Sequence, residues 1–310
     1  MNIENLLRET LSDMADEERP PAPDRFLQLH ERRPRRRGLA LAAATAVAGM
    51  VVGSTLVVQQ MSAPAPGAAG LRPALSPQAM ATVNVAAGMR LSQLFKQLSQ
   101  LTGRPVAEFE RAAKDGTALG LPPYAGRTLE GLAFPGTYEF SPAASPAELL
   151  RPMVARFKAA AEDADLVDGA RRTGRTPLEI MTIASIVQAE AGTEEDMTRI
   201  ARVIYNRLNR KMHLQIDSTV LYGLNKYGAE ASLKDVRSRS PYNTYRHLGL
   251  PPGPIGSPGA DAIRAALHPA RGSWLFFVEV DPKERIMKFA TSESEYVALL
   301  DERQKNLKGR

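Results

Sequence analysis

Residues 38–58 read GLALAAATAVAGMVVGSTLVV, 21 residues without a charged side chain. As a helix rising about 1.5 Å per residue, this run is roughly 30 Å long, the thickness of a bilayer's hydrocarbon layer, so it can cross a membrane once. Five arginines stand directly before it in RRPRRR (32–37), and the positive-inside bias keeps that end in the cytoplasm. A cleaved signal peptide is the competing reading. It is disfavoured because the polar leader is too long for an n-region and the apolar run too long for an h-region. The expectation is a single-pass plasma-membrane protein with 1–37 as a cytoplasmic tail, 38–58 as the transmembrane helix and the rest extracytoplasmic.

Residues 1–37 hold eight Lys/Arg and eight Asp/Glu, so the whole net charge of +6 lies from residue 38 onward. A basic extracytoplasmic part suits an anionic partner such as a cell-wall polymer or a lipid surface. Nucleic acid is set aside, because the expected topology puts the basic part on the wrong side of the membrane. The Pro-rich, charged ERPPAPDR marks the tail as largely disordered, and SAPAPGAAGLRPALSPQ (62–78) reads as a tether within a linker over 59–80. The chain has no cysteine, which excludes disulfides and thiolate chemistry. Its histidines, His30, His213, His247 and His268, are too scattered for a zinc site. Neither a metal nor an organic cofactor is expected.

Periodicity past residue 80 gives an α+β chain. A short alternating strand at ATVNV is followed by a helix with Leu91, Leu94, Phe95 and Leu98 on one face. A second helix runs from about Pro105 to Lys114, and LEGLAFPGTYEF (129–140) is extended with a Pro-Gly turn inside it. These form a small domain over 81–150. A second domain, 151–310, carries the remaining helices, a helix from about Pro258 to Leu267 capped by Ser257, and a closing hairpin, WLFFVEV (274–280) with RIMKFA (285–290), before a polar helix.

The chemistry points to ASIVQAEAGT (184–193). Thr176, Pro177 and Glu179 form a capping box that starts a helix, and Gly192 is placed to end it. Ile180, Ile183, Ile186 and Val187 mark an apolar face, from which Glu190 projects at i+3 and i+4. Burial disfavours its anion, and the last turn of a helix faces the negative end of the macrodipole. Both effects raise its pKa. A carboxyl that keeps its proton near neutral pH can serve as a general acid at a glycosidic oxygen. The plain alternative is a solvated surface glutamate or the partner of an arginine.

A second constellation follows. The helix opened by Thr193 and Asp196 carries a core stripe of Met197, Ile200, Ile204 and Leu208. That stripe leaves Asn206 and Arg207 unexplained, together with Gln215, Asp217, Thr219 and Tyr222 packed into the eight residues 215–222. Ser240, Tyr242, Asn243, Thr244 and Tyr245 precede a Pro/Gly loop. Amide, hydroxyl and aromatic groups together suit carbohydrate, although surface loops share this composition. Asp217 reads equally well as a helix N-cap before STVLYG.

The stretches LEGLAFPGTYEF, ASIVQAEAG, VIYNRLNRKMHLQIDSTVLYG and SPYNTYRHLGLPPGPIGSPGADAIRAALHPA resemble, in order over roughly residues 80–300, the endolytic murein transglycosylase family, also called YceG-like. The resemblance implies a LysM-like small domain behind a membrane anchor and a transglycosylase domain after it. It implies cleavage of the MurNAc–GlcNAc bond within peptidoglycan glycan strands, leaving 1,6-anhydroMurNAc ends, and a place near cell-wall synthesis and cell division. The family's acid lies in a helical motif of the form A-S-I-(I/V)-E-x-E. Here the motif reads ASIVQAE, which puts Gln188 at the first glutamate and Glu190 at the second. A further departure is Tyr296, where relatives are expected to carry histidine; it is expected to lie outside the polar cluster.

Glu190 is accordingly the expected general acid and base. Asn206, Gln215, Asp217, Tyr222, Ser240, Tyr242 and Asn243 are the expected substrate-binding residues. A membrane-anchored, non-catalytic peptidoglycan-binding scaffold is the alternative.

Overall fold

The structure, a computed structural model, describes residues 80–308 apart from 127 and 229. The expected tail, transmembrane helix and tether fall outside this range. Among the described residues no helix is long and apolar enough to cross a membrane.

The described chain opens with β1 (Ala81–Val85), whose inward Val83 and Val85 alternate with exposed Thr82 and Asn84. Then come α1 (Leu91–Thr102), α2 (Val106–Ala113) and the short α3 (Gly116–Leu119). β2 (Gly136–Phe140) returns antiparallel to β1, pairing Ala81 with Phe140 and Val85 with Gly136. This strand–helix–helix–strand order is the one the periodicity predicts. The extended reading of 129–140 holds only from Gly136, because 129–134 instead form buried turns.

α4 (Pro146–Asp163) starts at a Ser145/Glu148 capping box, and α5 (Leu166–Thr173) follows. Residue 150, the expected domain boundary, lies inside α4. α6 (Pro177–Glu190) begins at Thr176 with the predicted capping box. Every residue from Ile180 to Val187 is buried, so α6 is the central helix of the molecule rather than an amphipathic one with a single apolar face. It ends one residue before the predicted cap. Ala191 leaves it in an extended conformation, and Gly192 is needed for another reason, since a Cβ there would come 3.0 Å from the Arg285 carbonyl oxygen.

α7 (Glu194–Asn209) starts at Thr193, whose side chain accepts from Asp196 N–H, as expected. α8 (Asp217–Gly223) and the single turn α9 (Leu233–Val236) follow. α10 (Ala260–Leu267) packs against α6 and α7 and has Gly259, not Ser257, at its N-cap. β3 (Phe276–Asp281) and β4 (Ile286–Ala290) form the predicted hairpin, with a register irregularity between Glu279 and Asp281, and α11 (Glu293–Lys308) covers β3.

All described residues belong to one compact unit. One hydrophobic cluster runs from Val83 to Leu267, and a small second one (Leu275, Phe276, Ala290) lies under the hairpin. Backbone hydrogen bonds form part of the seam between the β1–β2 module and the rest. Gly88 N–H donates to Ser257 O (2.7 Å), and Ser257 N–H donates to Met89 O (2.9 Å). The loop carrying Ser257 is held in turn by α6, because Ile255 N–H donates to Ser185 Oγ (3.0 Å) and Gly259 N–H to Gln188 Oε1 (3.0 Å).

Candidate active site

The last residue of α6 is Glu190. Its carboxyl faces the start of α8, where the Ser218 hydroxyl and backbone N–H favour the anion, and it feels the negative charges of Asp217 and Glu279. Burial is the largest influence, and the net effect pushes its pKa up from 4.5 to about 7. Ser218 Oγ lies near enough to act on this carboxyl, yet it is a buried hydroxyl without a partner in good hydrogen-bonding geometry. A buried donor of this kind is available to a ligand or to a slightly rotated Glu190.

Asp217 is the first residue of α8; the residue before it, Ile216, is the N-cap, so the capping reading of Asp217 does not hold. Its carboxylate instead accepts from Tyr245 Oη (2.6 Å) and Ala231 N–H (2.9 Å). Burial, followed by the Asp217 charge, drives the Tyr245 pKa well up, which keeps this phenol a donor. The 238–247 loop is locked onto the same helix start. Ile216 N–H donates to Thr244 Oγ1 (3.0 Å), Thr244 and Thr219 hydroxyls share a hydrogen bond (2.9 Å), and Gln215 N–H donates to Thr244 O (3.1 Å). Gln215 turns the chain there in the left-handed region, φ 52°.

The expected binding residues divide into two groups. Tyr222 and Tyr242 are half-buried, with ring centroids 4.8 Å apart, and present partly open aromatic faces. Ser240 supports them, its hydroxyl accepting from Tyr242 N–H (3.3 Å). Gly223 lets the two segments approach, because a Cβ there would lie 2.2 Å from Ser240 Oγ. Asn243, by contrast, is fully buried: its amide donates to Val236 O and Ser238 O (both 2.8 Å), and its oxygen accepts from Tyr245 N–H. Asn206 likewise directs its amide to Gly272 O (3.1 Å) and Trp274 O (2.8 Å), anchoring the approach to β3. The structure therefore shows these two asparagines engaged with backbone, shaping the loops around the site.

Arg207 is a buried cation under the site. It donates to the carbonyls of Leu275, His213 and Leu214, reaches Gln215 Oε1 at 3.4 Å and stacks over Phe276. Burial pulls its pKa down to about 10, so it remains charged at neutral pH. Tyr296 stacks on Phe276, 4.8 Å between centroids, and is close enough to Arg207 and Asp217 for both charges to act on its phenol. It thus borders the polar cluster, contrary to expectation, because α11 folds back over β3. Gln188 has a visible task as well, holding Gly259 N–H.

Sequence reasoning missed Ser218, Glu279 and, above all, Glu130. Glu130 is 7% exposed, and burial raises its pKa to about 7 against the hydrogen bonds that favour its anion. Its signal was the one used for Glu190: a lone acid in an apolar run, here LEGLAF. Among the described residues no cluster of His, Asp or Glu could hold a metal ion.

The sequence pattern of the YceG-like family matches residues 52–302. The endolytic murein transglycosylase of Bacillus subtilis (strain 168) is 38% identical over 151 residues, 48% of this chain and 41% of that protein. The protein of the same description from Streptococcus pneumoniae serotype 2 is 36% identical over 176 residues, 54% of this chain and 31% of that protein. The chain thus matches less than half the length of these relatives. The crystal structure of a yceG-like protein from Listeria monocytogenes superposes with a TM-score of 0.63 at 28% identity, covering 71% of this chain and 76% of that one. With four fifths of its length inside the family pattern, the chain belongs to the YceG-like family.

Proposed function

We propose that this protein is a peptidoglycan lytic transglycosylase acting within glycan strands. The observation that carries this reading is Glu190, a half-buried carboxyl at a helix end whose proton is held to about pH 7, close to the Tyr245 phenol and the Ser218 hydroxyl. The description of the relatives as endolytic murein transglycosylases supports the substrate class.

A hydrolase normally needs a second carboxylate to activate water. A lytic transglycosylase does not, because the sugar's own C6 hydroxyl is the nucleophile. Glu190 donates its proton to the bridging oxygen as the C1–O bond of MurNAc breaks. The ring gains oxocarbenium character, the new carboxylate removes the C6 hydroxyl proton, and the O6–C1 bond closes the 1,6-anhydro ring. The proton returns to Glu190 and no water is consumed. The Asp217 and Glu279 charges have two roles in this scheme: they help keep Glu190 protonated before the reaction, and they favour the positive charge that develops on the sugar.

The β1–β2 module acts as a LysM-like glycan-binding element, and residues 38–58 anchor the chain once in the plasma membrane with its N-terminus cytoplasmic. The RRPRRR sequence and the charge-free run support that topology. Such an anchor would keep the enzyme beside the wall-synthesis machinery. Digestion of purified glycan by the wild-type chain and by Glu190→Gln tests the reaction. Anhydro ends that appear with the first and are lost with the second support it, and reducing ends would indicate a hydrolase instead.

A further inference from the structure

Glu130 belongs to the β1–β2 side of the seam, and its carboxylate joins the start of α1 on its own side to α8 on the other. Oε2 accepts from Tyr222 Oη of α8 (2.9 Å), while Oε1 accepts from Leu91 N–H at the start of α1 (3.1 Å). The neighbouring Arg90 reaches across as well. Its guanidinium donates to Lys226 O (2.8 Å) and lies over two aromatic rings, 5.2 Å from the centroid of Tyr222 and 4.6 Å from that of Tyr227. Ser92 and Tyr227 share a hydroxyl hydrogen bond (2.8 Å), and Tyr227 remains 50% exposed. Tyr222 in turn packs on Tyr242.

These residues form a continuous, partly open face of three tyrosines and one guanidinium, with a buried carboxylate beneath it. Tyr222 follows Ser218 by four residues on α8, so the face lies one helical turn along from the group that touches Glu190. With Arg90 lying over the rings of Tyr222 and Tyr227, the surface offered is the guanidinium plane together with exposed Tyr227 and half-buried Tyr242, a flat and polar patch that fits the apolar face and polar rim of a pyranose ring.

We propose that Arg90, Tyr222, Tyr227 and Tyr242 form a saccharide subsite next to the reacting bond, and that Glu130 is its positioning residue, fixing Tyr222 against the start of α1. The inference rests on the glycan-cleaving reading and deepens it: the β1–β2 module completes the groove instead of serving only as a separate tether. Isolated carboxylates are costly to bury, and here one of the hydrogen bonds that offset the cost, that from Tyr222, crosses the seam, while that from Leu91 N–H ties the same carboxylate to the start of α1.

The test uses the full chain in the Glu190→Gln background, titrated calorimetrically with purified uncrosslinked glycan strands, so that binding is read without turnover. Arg90→Ala and Tyr222→Ala each weaken the Kd by about five- to tenfold, the loss expected of one stacking or hydrogen-bonding contact. Glu130→Ala and Tyr222→Phe each weaken it less, and their double variant weakens it no further than Glu130→Ala alone, because both break the same tether. Glu130→Gln, which keeps the shape and one acceptor, restores most of the affinity. With Glu190 restored, the loss in Glu130→Ala appears in KM with kcat nearly unchanged. Unchanged Kd in Arg90→Ala and Tyr222→Ala, or additive effects of Glu130→Ala and Tyr222→Phe, overturns this inference while leaving the enzyme reading intact. Failure of the Glu190→Gln chain to bind glycan, with no cleavage by the wild type, removes the enzyme reading and the subsite together.

Discussion

At the scale of the residue, Glu190 is held in its protonated form mainly by burial, with Asp217 and Glu279 acting in the same direction. In the proposed reaction this group begins as an acid. The rate should therefore be level below pH 7 and fall as pH rises through about 7, roughly tenfold per unit well above it, and a pH series of kcat checks this. The same shift has a consequence for stability. Between pH 4.5 and about 7 the folded chain holds a proton that the unfolded chain has released, so stability falls as pH rises through that window. Glu190→Gln removes this loss. Its stability should exceed that of the wild type by on the order of 2 kcal/mol at pH 8, and the gap should close towards pH 4.5, as read by denaturant titration at both pH values. A group that costs stability near neutral pH is one that packing alone does not account for.

At the scale of the element, α6 shows how much was readable and why. Its capping box, its start at Pro177 and the placing of Glu190 in the last turn follow from local chemistry that sequence carries directly. Its burial on every side does not, because that depends on α5, α7 and α10 closing around it. For the same reason the polar cluster after residue 206 was legible as a group but not in its parts. Asn206 and Asn243 look like ligand residues in sequence and turn out to bind backbone, while Glu130, about 60 residues ahead of Glu190, meets Tyr222 only through the seam. Ser185 is a test at this scale. It is the acceptor for Ile255 N–H, a buried donor, and Ser185→Ala should cost about 1–3 kcal/mol by leaving that donor unpaired, measured by chemical denaturation.

At the scale of the whole molecule, the β1–β2 module and the rest of the described chain share one hydrophobic cluster and a seam bonded through Gly88, Met89, Ser257, Glu130 and Arg90. Independent domains would unfold separately. This arrangement instead predicts one cooperative transition for the described part, with fluorescence of the single Trp274, beside the hairpin, and far-ultraviolet circular dichroism tracing the same curve. Two separated transitions would contradict it. The seam also brings Arg90 and Glu130 of the module onto Tyr222 of α8, the helix whose start faces Glu190.

The central claim is that Glu190 alone serves as both acid and base for an internal sugar nucleophile. Mass spectrometry of purified glycan strands digested by the wild-type chain and by folded Glu190→Gln tests it most directly. The account predicts anhydro-ended fragments lighter by one water than hydrolysis products, with Glu190→Gln producing them about 10²–10⁴-fold more slowly. Equal release of such fragments by the two proteins, or reducing-end products from the wild type, would contradict it.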